Sequence, residues 1–420
     1  MPLILSQLNA AIAAMRALLP PEFPADAIIR RFFRDNAILG VQDRAFIAEV
    51  VFGILRHRFF LESLAHPVTP RALVLAYLVK YHGLNLREFD TFISESEKKW
   101  LTEIKAIKID ELSLSIRAEL PDWLIEKLKI NLSDEQILTL GLALQKTAPL
   151  DLRVNTLLAK RDEVIAILQE EGIDAQITPY SPCGIRLAGK PMINRHELFL
   201  SGKIEVQDEG SQLLGYLLAP KRGEMVVDFC AGAGGKALLL GALMNSKGRL
   251  YAFDVSEKRL SNLIPRFKRS GLSNLHIQRI NDENDSKVKR LSGKIDRVLV
   301  DAPCSGIGTL RRNPDLKWRQ SSQSIEELKI KQSAILAAAA KLLKPGGRLV
   351  YATCSFLDEE NQDIIFHFLN SHPQFTVLNS TELLAQQKIT LDTGEFLQIN
   401  PQQHQTDGFF AAALVRSEVC

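Results

Sequence analysis

Met225-Val226-Val227-Asp228-Phe229-Cys230-Ala231-Gly232-Ala233-Gly234-Gly235-Lys236 runs from a short apolar segment into a glycine-rich loop, and Ala237 to Met244 continues at helical spacing. A buried strand, a loop in which glycine lets the backbone approach a ligand, and a helix N-terminus with unsatisfied N–H donors together make a nucleotide pocket. The alternation repeats downstream. Arg249 to Phe253 is a strand ending at Asp254, Glu257 to Ser270 is a helix followed by Gly271, Ile277 to Ile280 leads to Asp282, and Arg297 to Val300 leads to Asp301. Ser324 and Glu327 have the spacing of a capping box before a long helix rich in Ala and Leu; Pro345-Gly346-Gly347 stops it and Arg348 to Ala352 is the next strand. This pattern implies a parallel sheet covered on both faces, with ligands bound beyond the carboxyl ends of its strands.

Upstream the texture differs. Apolar residues recur at helical spacing through Ala45 to Leu55 and Ala72 to Leu78, and strand patterns are absent up to about residue 130, which predicts an all-α bundle over 1–130. The first residues, MPLILSQLNAAIAAMRALLPP, lack a basic start and are interrupted by Gln7, Asn9 and Arg16; they read as an amphipathic helix rather than a signal peptide. Leu150 to Asn155 alternates like a strand, Arg161 to Glu171 reads as a helix ended by Gly172, and Ile173 to Pro179 and Gly184 to Leu187 read as short strands, so 131–210 is expected to be a small α+β domain ahead of an α/β domain over 211–420.

The 420 residues are 46% hydrophobic and 24% charged with a net charge of +3, an ordinary globular composition that permits nucleic acid as a partner without demanding it. Cys183, Cys230, Cys304, Cys354 and Cys420 are odd in number and widely spaced, which argues against a disulfide framework and for a reducing, cytoplasmic setting. No metal-ligand spacing is present and no apolar run reaches membrane-spanning length, so neither a metal nor a membrane is expected.

In the glycine loop, Cys230-Ala231-Gly232-Ala233-Gly234-Gly235-Lys236, the third glycine of a dinucleotide fingerprint is replaced by Leu238. Asp254, about twenty residues on, suits two ribose hydroxyls. Asp282 and Asp301 at later strand ends suit an adenine edge and an amino group, whereas a pyrophosphate would prefer donors and positive charge. A dinucleotide site and a purely structural turn remain the alternatives at this point. Asp301-Ala302-Pro303-Cys304-Ser305-Gly306 and Ala352-Thr353-Cys354-Ser355 each put a thiol just past a buried strand, on the same rim. Most free cysteines are inert core residues, but two on one functional rim invite a chemical reading. Carbon 5 of cytosine is a poor nucleophile; a thiolate adding to carbon 6 makes the ring enamine-like, so that carbon 5 can take a methyl from a sulfonium donor before a base removes its proton and the thiol leaves. The attacking thiol then needs positive charge or N–H donors nearby. The residues alone do not say which cysteine attacks.

With these motifs the chain resembles the Sun/Fmu class of RNA cytosine-5 methyltransferases, over nearly its whole length. The specific pieces are Asp301 to Gly306, Arg311-Arg312-Asn313-Pro314-Asp315-Leu316-Lys317-Trp318, Thr353-Cys354-Ser355 and Asp407-Gly408-Phe409-Phe410. The resemblance implies a Rossmann-like class I methyltransferase domain using S-adenosyl-L-methionine, held by Cys230 to Lys236, Asp254, Asp282 and Asp301. It makes Cys354 the nucleophile and Cys304 the cysteine of product release, with Asp301 also near the target base. It implies small-subunit (16S) ribosomal RNA as substrate, a NusB-like character for the helical front around Asp43 to Arg56, and the family's small α+β domain from Pro149 on. Two departures stand out. Gly232-Ala233 replaces the usual Ala-Pro, so a less rigid loop is expected, and Asn281-Asp282-Glu283 replaces the usual Gly-Asp-Ala.

A cytosine within a helix hides its reacting atoms, so the target must be single-stranded or extruded. Arg311, Arg312, Lys317, Trp318 and Arg319 read as a basic patch with one aromatic, suited to phosphates and a stacked base. A monomer is expected. The rival readings are a transfer RNA substrate, a different methyltransferase or nucleotide-dependent oxidoreductase, which would not need both cysteines, and a non-catalytic RNA-binding or assembly factor.

Overall fold

The computed structural model describes residues 5–19, 22–88 and 91–418; Cys420 lies outside them. Two compact units emerge, Met1–Thr147 with Thr309–Ser322, and Ala148–Gly308 with Gln323–Cys420.

The first unit is helical throughout its described residues. Its long helices are Leu5–Leu18, Ala25–Asp35, Val41–Arg56, Pro70–Lys80, Glu95–Ala106 and Asp134–Gln145. The apolar spacing of the sequence becomes its core: Leu8, Met15, Ile47, Ile54, Leu61, Leu73 and Leu75 are fully buried. Helix starts are chemically marked. Thr69 accepts the Ala72 N–H at 3.1 Å, and Ser94 and Ser133 form capping boxes with Glu97 and Gln136. Gly53 faces Tyr77 so closely that a Cβ would lie 2.1 Å from the phenol oxygen, so Val41–Arg56 and Pro70–Lys80 meet where no larger residue fits.

Thr309–Ser322 belongs to this helical unit, which corrects the expectation of a basic patch at Arg311, Lys317 and Trp318, while Arg319 stays exposed. Lys317 is buried; its ammonium donates to the carbonyls of Arg56 and Glu119, both at 2.9 Å, and lies 3.7 Å from the Glu119 carboxylate. Trp318 stacks on Phe59 at 4.2 Å, and the Arg58 guanidinium lies over the Trp318 ring, also at 4.2 Å. Arg311 is buried as well, whereas Arg312 keeps partial exposure. Asp315 accepts the Ala25 N–H at 3.2 Å. A basic run reads as solvated unless a buried carboxylate awaits it. That carboxylate is Glu119, which accepts the N–H groups of Phe59 and Phe60 at 3.0 and 3.1 Å. Burial pushes Glu119 up and Lys317 down, and each moderates the other's shift. Lys317→Ala strands a buried carboxylate and is expected to cost on the order of 3–5 kcal/mol. Denaturant unfolding measures this, and Lys317→Met combined with Glu119→Gln should recover most of the loss.

The second unit holds two sheets. The smaller has β1 (Leu150–Val154), β2 (Ala175–Ile177), β3 (Gly184–Leu187) and β4 (Ile204–Val206), antiparallel in the order β2-β3-β1-β4. Arg186 grips Asp151 in a bidentate pair at 2.7 and 2.9 Å. This α+β part shares its compact unit with the larger sheet. Asp134–Gln145 packs with the helical unit, and Glu205 of β4 takes Arg266 and Arg269 from the larger layer at 2.9 and 2.6 Å. The helix Glu209–Leu218 is buried at every position between the two sheets.

The larger sheet comprises β5 (Met225–Asp228), β6 (Arg249–Asp254), β7 (Leu275–Arg279), β8 (Ile295–Asp301), β9 (Leu343–Thr353), β10 (Phe375–Leu378), β11 (Leu397–Ile399) and β12 (Phe409–Arg416). Its order is β10-β12-β9-β8-β5-β6-β7, with β11 beside β12. The strands from β9 to β7 run parallel as the sequence pattern predicts, but β12 inserts antiparallel between β9 and β10, so the sheet is mixed. The buried run Phe409–Leu414 announces a strand and says nothing about its direction. The helix Ser322–Ala340 starts two residues before the expected cap at Ser324, and Pro345-Gly346-Gly347 lies inside β9, where the pairing register to β8 slips around Gly346 at φ +75°.

Candidate active site

The carboxyl ends of β5, β6, β8 and β9 converge on one rim. The glycine loop after β5 is braced from two sides. Asp254 at the end of β6 accepts the Gly232 N–H at 2.8 Å and the Ser256 N–H at 2.7 Å, and Arg266 donates to the Ala233 carbonyl at 2.7 Å. Gly234 has φ +81°, and a Cβ there would sit 2.0 Å from Leu263, so only glycine fits; Gly232 at φ +55° opens onto free space. The loop expected to be loose without proline is held by these two side chains. Each Asp254 oxygen keeps a second lone pair for a ligand hydroxyl.

Asp228, the last residue of β5, was not among the residues the sequence singled out. It is buried, and neither carboxylate oxygen has a hydrogen-bond partner at good geometry; the nearby Cys230 N–H works to lower its carboxyl. Burial, reinforced by Asp301 and Asp254, pushes its carboxyl up to about 7. An orphaned buried acid beside a loop open to ligand is what a donor-bearing ligand would complete. The signal was available: Asp228 ends its strand as Asp254 and Asp301 end theirs.

At the end of β8, Asp301 accepts a charged hydrogen bond from Lys236 at 2.7 Å. Burial works to lower the Lys236 ammonium, but Asp301 holds it above its ordinary value, and its charge lies within electrostatic reach of Cys354. Lys236 also stands 5.6 Å from the centre of the Phe409 ring. The two thiols meet here. Cys304 and Cys354 are half-buried with their sulfurs 3.4 Å apart, and the Cys354 N–H donates to the Cys304 sulfur at 3.3 Å. The hydrogen bond to Cys354, burial, and the charges of Cys354 and Glu360 hold the Cys304 thiol well above the usual range, so it stays protonated. Burial and the surrounding aspartates push Cys230 up too, which makes it an inert wall of the pocket.

The terminal Asp407 to Phe410 run has a backbone role. Gly408 donates to the Gly308 carbonyl at 2.8 Å and Gly308 donates to the Cys354 carbonyl at 2.9 Å; a Cβ at Gly308 would lie 2.2 Å from the Gly408 oxygen. Three segments thus braid around the Cys354 backbone. Asp282, past the end of β7, is exposed, and one of its oxygens accepts the Asn284 N–H at 2.7 Å within its own turn. Among the described residues no group of three His, Cys, Asp or Glu could hold a metal ion, and no helix is long and apolar enough to cross a membrane.

Comparison with known proteins accords with this geometry. Residues 215–415 match the family model described as 16S rRNA methyltransferase RsmB/F, and residues 120–194 match the ferredoxin-like domain that accompanies it. A probable ribosomal RNA small subunit methyltransferase B from Synechocystis is 36% identical over 73% of this chain and 69% of its own length. The ribosomal RNA small subunit methyltransferase B of Shewanella oneidensis is 33% identical over 90% of this chain and 91% of its own. The crystal structure of PH0851 superposes with a TM-score of 0.80 at 29% identity, covering 99% of this chain and all of that one. The larger sheet is accordingly a Rossmann-like class I methyltransferase domain and the smaller a ferredoxin-like domain, and the chain belongs to the 16S rRNA methyltransferase RsmB/F family.

Proposed function

We propose that this chain methylates carbon 5 of a cytosine in small-subunit ribosomal RNA, with S-adenosyl-L-methionine as methyl donor and Cys354 as covalent nucleophile. The observation that carries the reading is the pair of thiols 3.4 Å apart at the ends of two adjacent strands, beside the Lys236–Asp301 pair and a glycine loop braced by Asp254. S-adenosylmethionine supplies an electrophilic methyl carbon on a sulfonium. The orphaned Asp228 suits its ammonium, Asp254 its ribose, the open side of Gly232 its close approach, and Asp282 its adenine edge. Cys354 adds to carbon 6 of the extruded cytosine, and when ionised its sulfur faces the Lys236 charge. The ring's electron pair moves to carbon 5, which becomes the nucleophile for the methyl. Loss of the carbon 5 proton then expels the Cys354 thiolate and restores the aromatic ring. Cys304 touches the Cys354 sulfur and serves product release. Asp301, through Lys236, orders the charge around the target base.

The helical unit fits a NusB-like, RNA-binding role on a monomeric, cytoplasmic enzyme. Because Lys317 and Trp318 are committed to internal contacts, RNA contact from the 311–319 run falls to the partly exposed Arg312 and the exposed Arg319. Bisulfite sequencing of ribosomal and transfer RNA from cells with and without the gene tests the substrate. Loss of one small-subunit 5-methylcytosine is expected, and loss confined to transfer RNA would contradict the reading.

Asp228 gives the cofactor site a pH dependence. Its folded carboxyl titrates near 7, above the unfolded value, so the proton held by the folded chain at lower pH is released on unfolding. The stability it contributes without cofactor is therefore full in acid and is lost as pH rises through about 7. Cofactor affinity runs the other way, since the ammonium wants the carboxylate. Titration calorimetry should show S-adenosylmethionine binding tighten up to about tenfold between roughly pH 6 and 8, with the dependence flattened in Asp228→Asn.

A further inference from the structure

We infer that Glu360 is the positioning residue that fixes the separation of the two reacting thiols, clamping the Cys304 and Cys354 loops to one buried carboxylate. The inference rests on the reading of those cysteines as the reacting pair. Glu360 follows the Cys354 loop in a short turn and is fully buried. One of its oxygens accepts the Ser305 N–H at 2.8 Å and the Gln332 side-chain amide at 3.0 Å; the other accepts the Ser305 and Ser355 hydroxyls, each at 2.5 Å. Ser305 directly follows Cys304 and Ser355 directly follows Cys354, so the carboxylate holds the same position of both loops.

The residues preceding the cysteines are tied to the same cluster. Gln332 also donates to the Pro303 carbonyl at 3.0 Å, and the Thr353 hydroxyl donates to Asn361 at 2.5 Å, whose amide returns to the Ser355 carbonyl at 3.0 Å. Each thiol is therefore pinned on both sides. The strands alone would not do this, since β8 and β9 end at Asp301 and Thr353 and both cysteines lie on the loops beyond. Glu360 makes its hydrogen bonds entirely to neutral donors. A buried carboxylate maintained that way is costly to fold around, and what it secures here is the relative placement of two loops whose sulfurs must work on one base.

The test uses the full-length protein and Glu360→Gln, which keeps the volume but puts an amide donor where donors already point. Two readouts separate positioning from general stability. In steady-state methylation of small-subunit RNA, kcat should fall about 10- to 100-fold, while S-adenosylmethionine Kd and RNA KM stay within about twofold. Separately, diamide oxidises two adjacent thiols to a disulfide and takes up their two electrons and two protons. Peptide mass spectrometry should find the Cys304–Cys354 disulfide forming at least about tenfold more slowly in the variant than in the wild type. The diamide arm needs no methyl transfer: if it behaves as expected while wild-type protein methylates nothing, the assigned function fails and the clamp stands. Should Glu360→Gln not fold, Ser355→Ala removes one hydroxyl and keeps the carboxylate, and is expected to lower kcat several-fold without changing cofactor affinity. Wild-type kcat and wild-type disulfide rate in a folded variant overturn the inference.

Discussion

Cys354→Ala is expected to abolish methyl transfer, by on the order of 10⁴-fold or more, and to leave S-adenosylmethionine binding unchanged. The size of the effect follows from the chemistry. Without sulfur at carbon 6 the cytosine ring keeps its aromaticity and carbon 5 has no electron pair to offer, so no alternative arrangement of the remaining groups replaces the lost step. The neutrality toward cofactor follows from the geometry. The loop that would hold the donor is organised by Asp254 and Arg266, and neither touches Cys354. Calorimetry and a tritium-release or mass-shift assay read the two halves separately. Residual activity within about a hundredfold of wild type would mean that the base is activated without Cys354.

Cys304→Ala is expected to have the opposite signature, a protein–RNA adduct that persists on a denaturing gel. Cys304 lies against the Cys354 sulfur at 3.4 Å and is kept protonated by that contact, by burial and by the neighbouring negative charges. In the proposed mechanism it contributes little to attack and much to the environment in which Cys354 must leave. Its removal takes away the one sulfur that accepts the Cys354 N–H and opens the space beside the bond to be broken. Adduct should accumulate to a large fraction of the protein with wild-type RNA, whereas wild type shows only a trace. A Cys304→Ala protein that turns over normally with no adduct reverses the roles of the two thiols.

Much of the candidate site was legible in the sequence because strand ends in an α/β sheet are chemically conspicuous: an apolar run of four or five residues stops at an acid or a Gly-rich or Cys-bearing loop. Asp254, Asp301, Cys304 and Cys354 all occupy such positions, and the structure brings them to one rim. Asp228 has the same grammar but was hidden by the glycine loop that follows it. Glu360 was hidden for another reason. Its role depends on three segments meeting, Pro303–Ser305, Gln332 and Thr353–Asn361, and no local spacing announces a carboxylate that serves loops on two different strands. The antiparallel β12 was illegible because side-chain pattern reports burial and not direction. The misread basic run around Lys317 shows the converse limit. Charge looks solvent-exposed in sequence until its buried partner, here Glu119 two hundred residues away, is brought beside it in space.

The most direct test of the central claim is to trap the covalent step. Small-subunit RNA carrying 5-fluorocytosine at the target, incubated with the protein and S-adenosylmethionine, cannot lose a proton from carbon 5 and should remain attached to the protein. Digestion and tandem mass spectrometry should then locate a methylated nucleotide on the peptide containing Cys354. Attachment at Cys304, or the absence of any adduct from a protein that methylates unmodified RNA, would contradict the account.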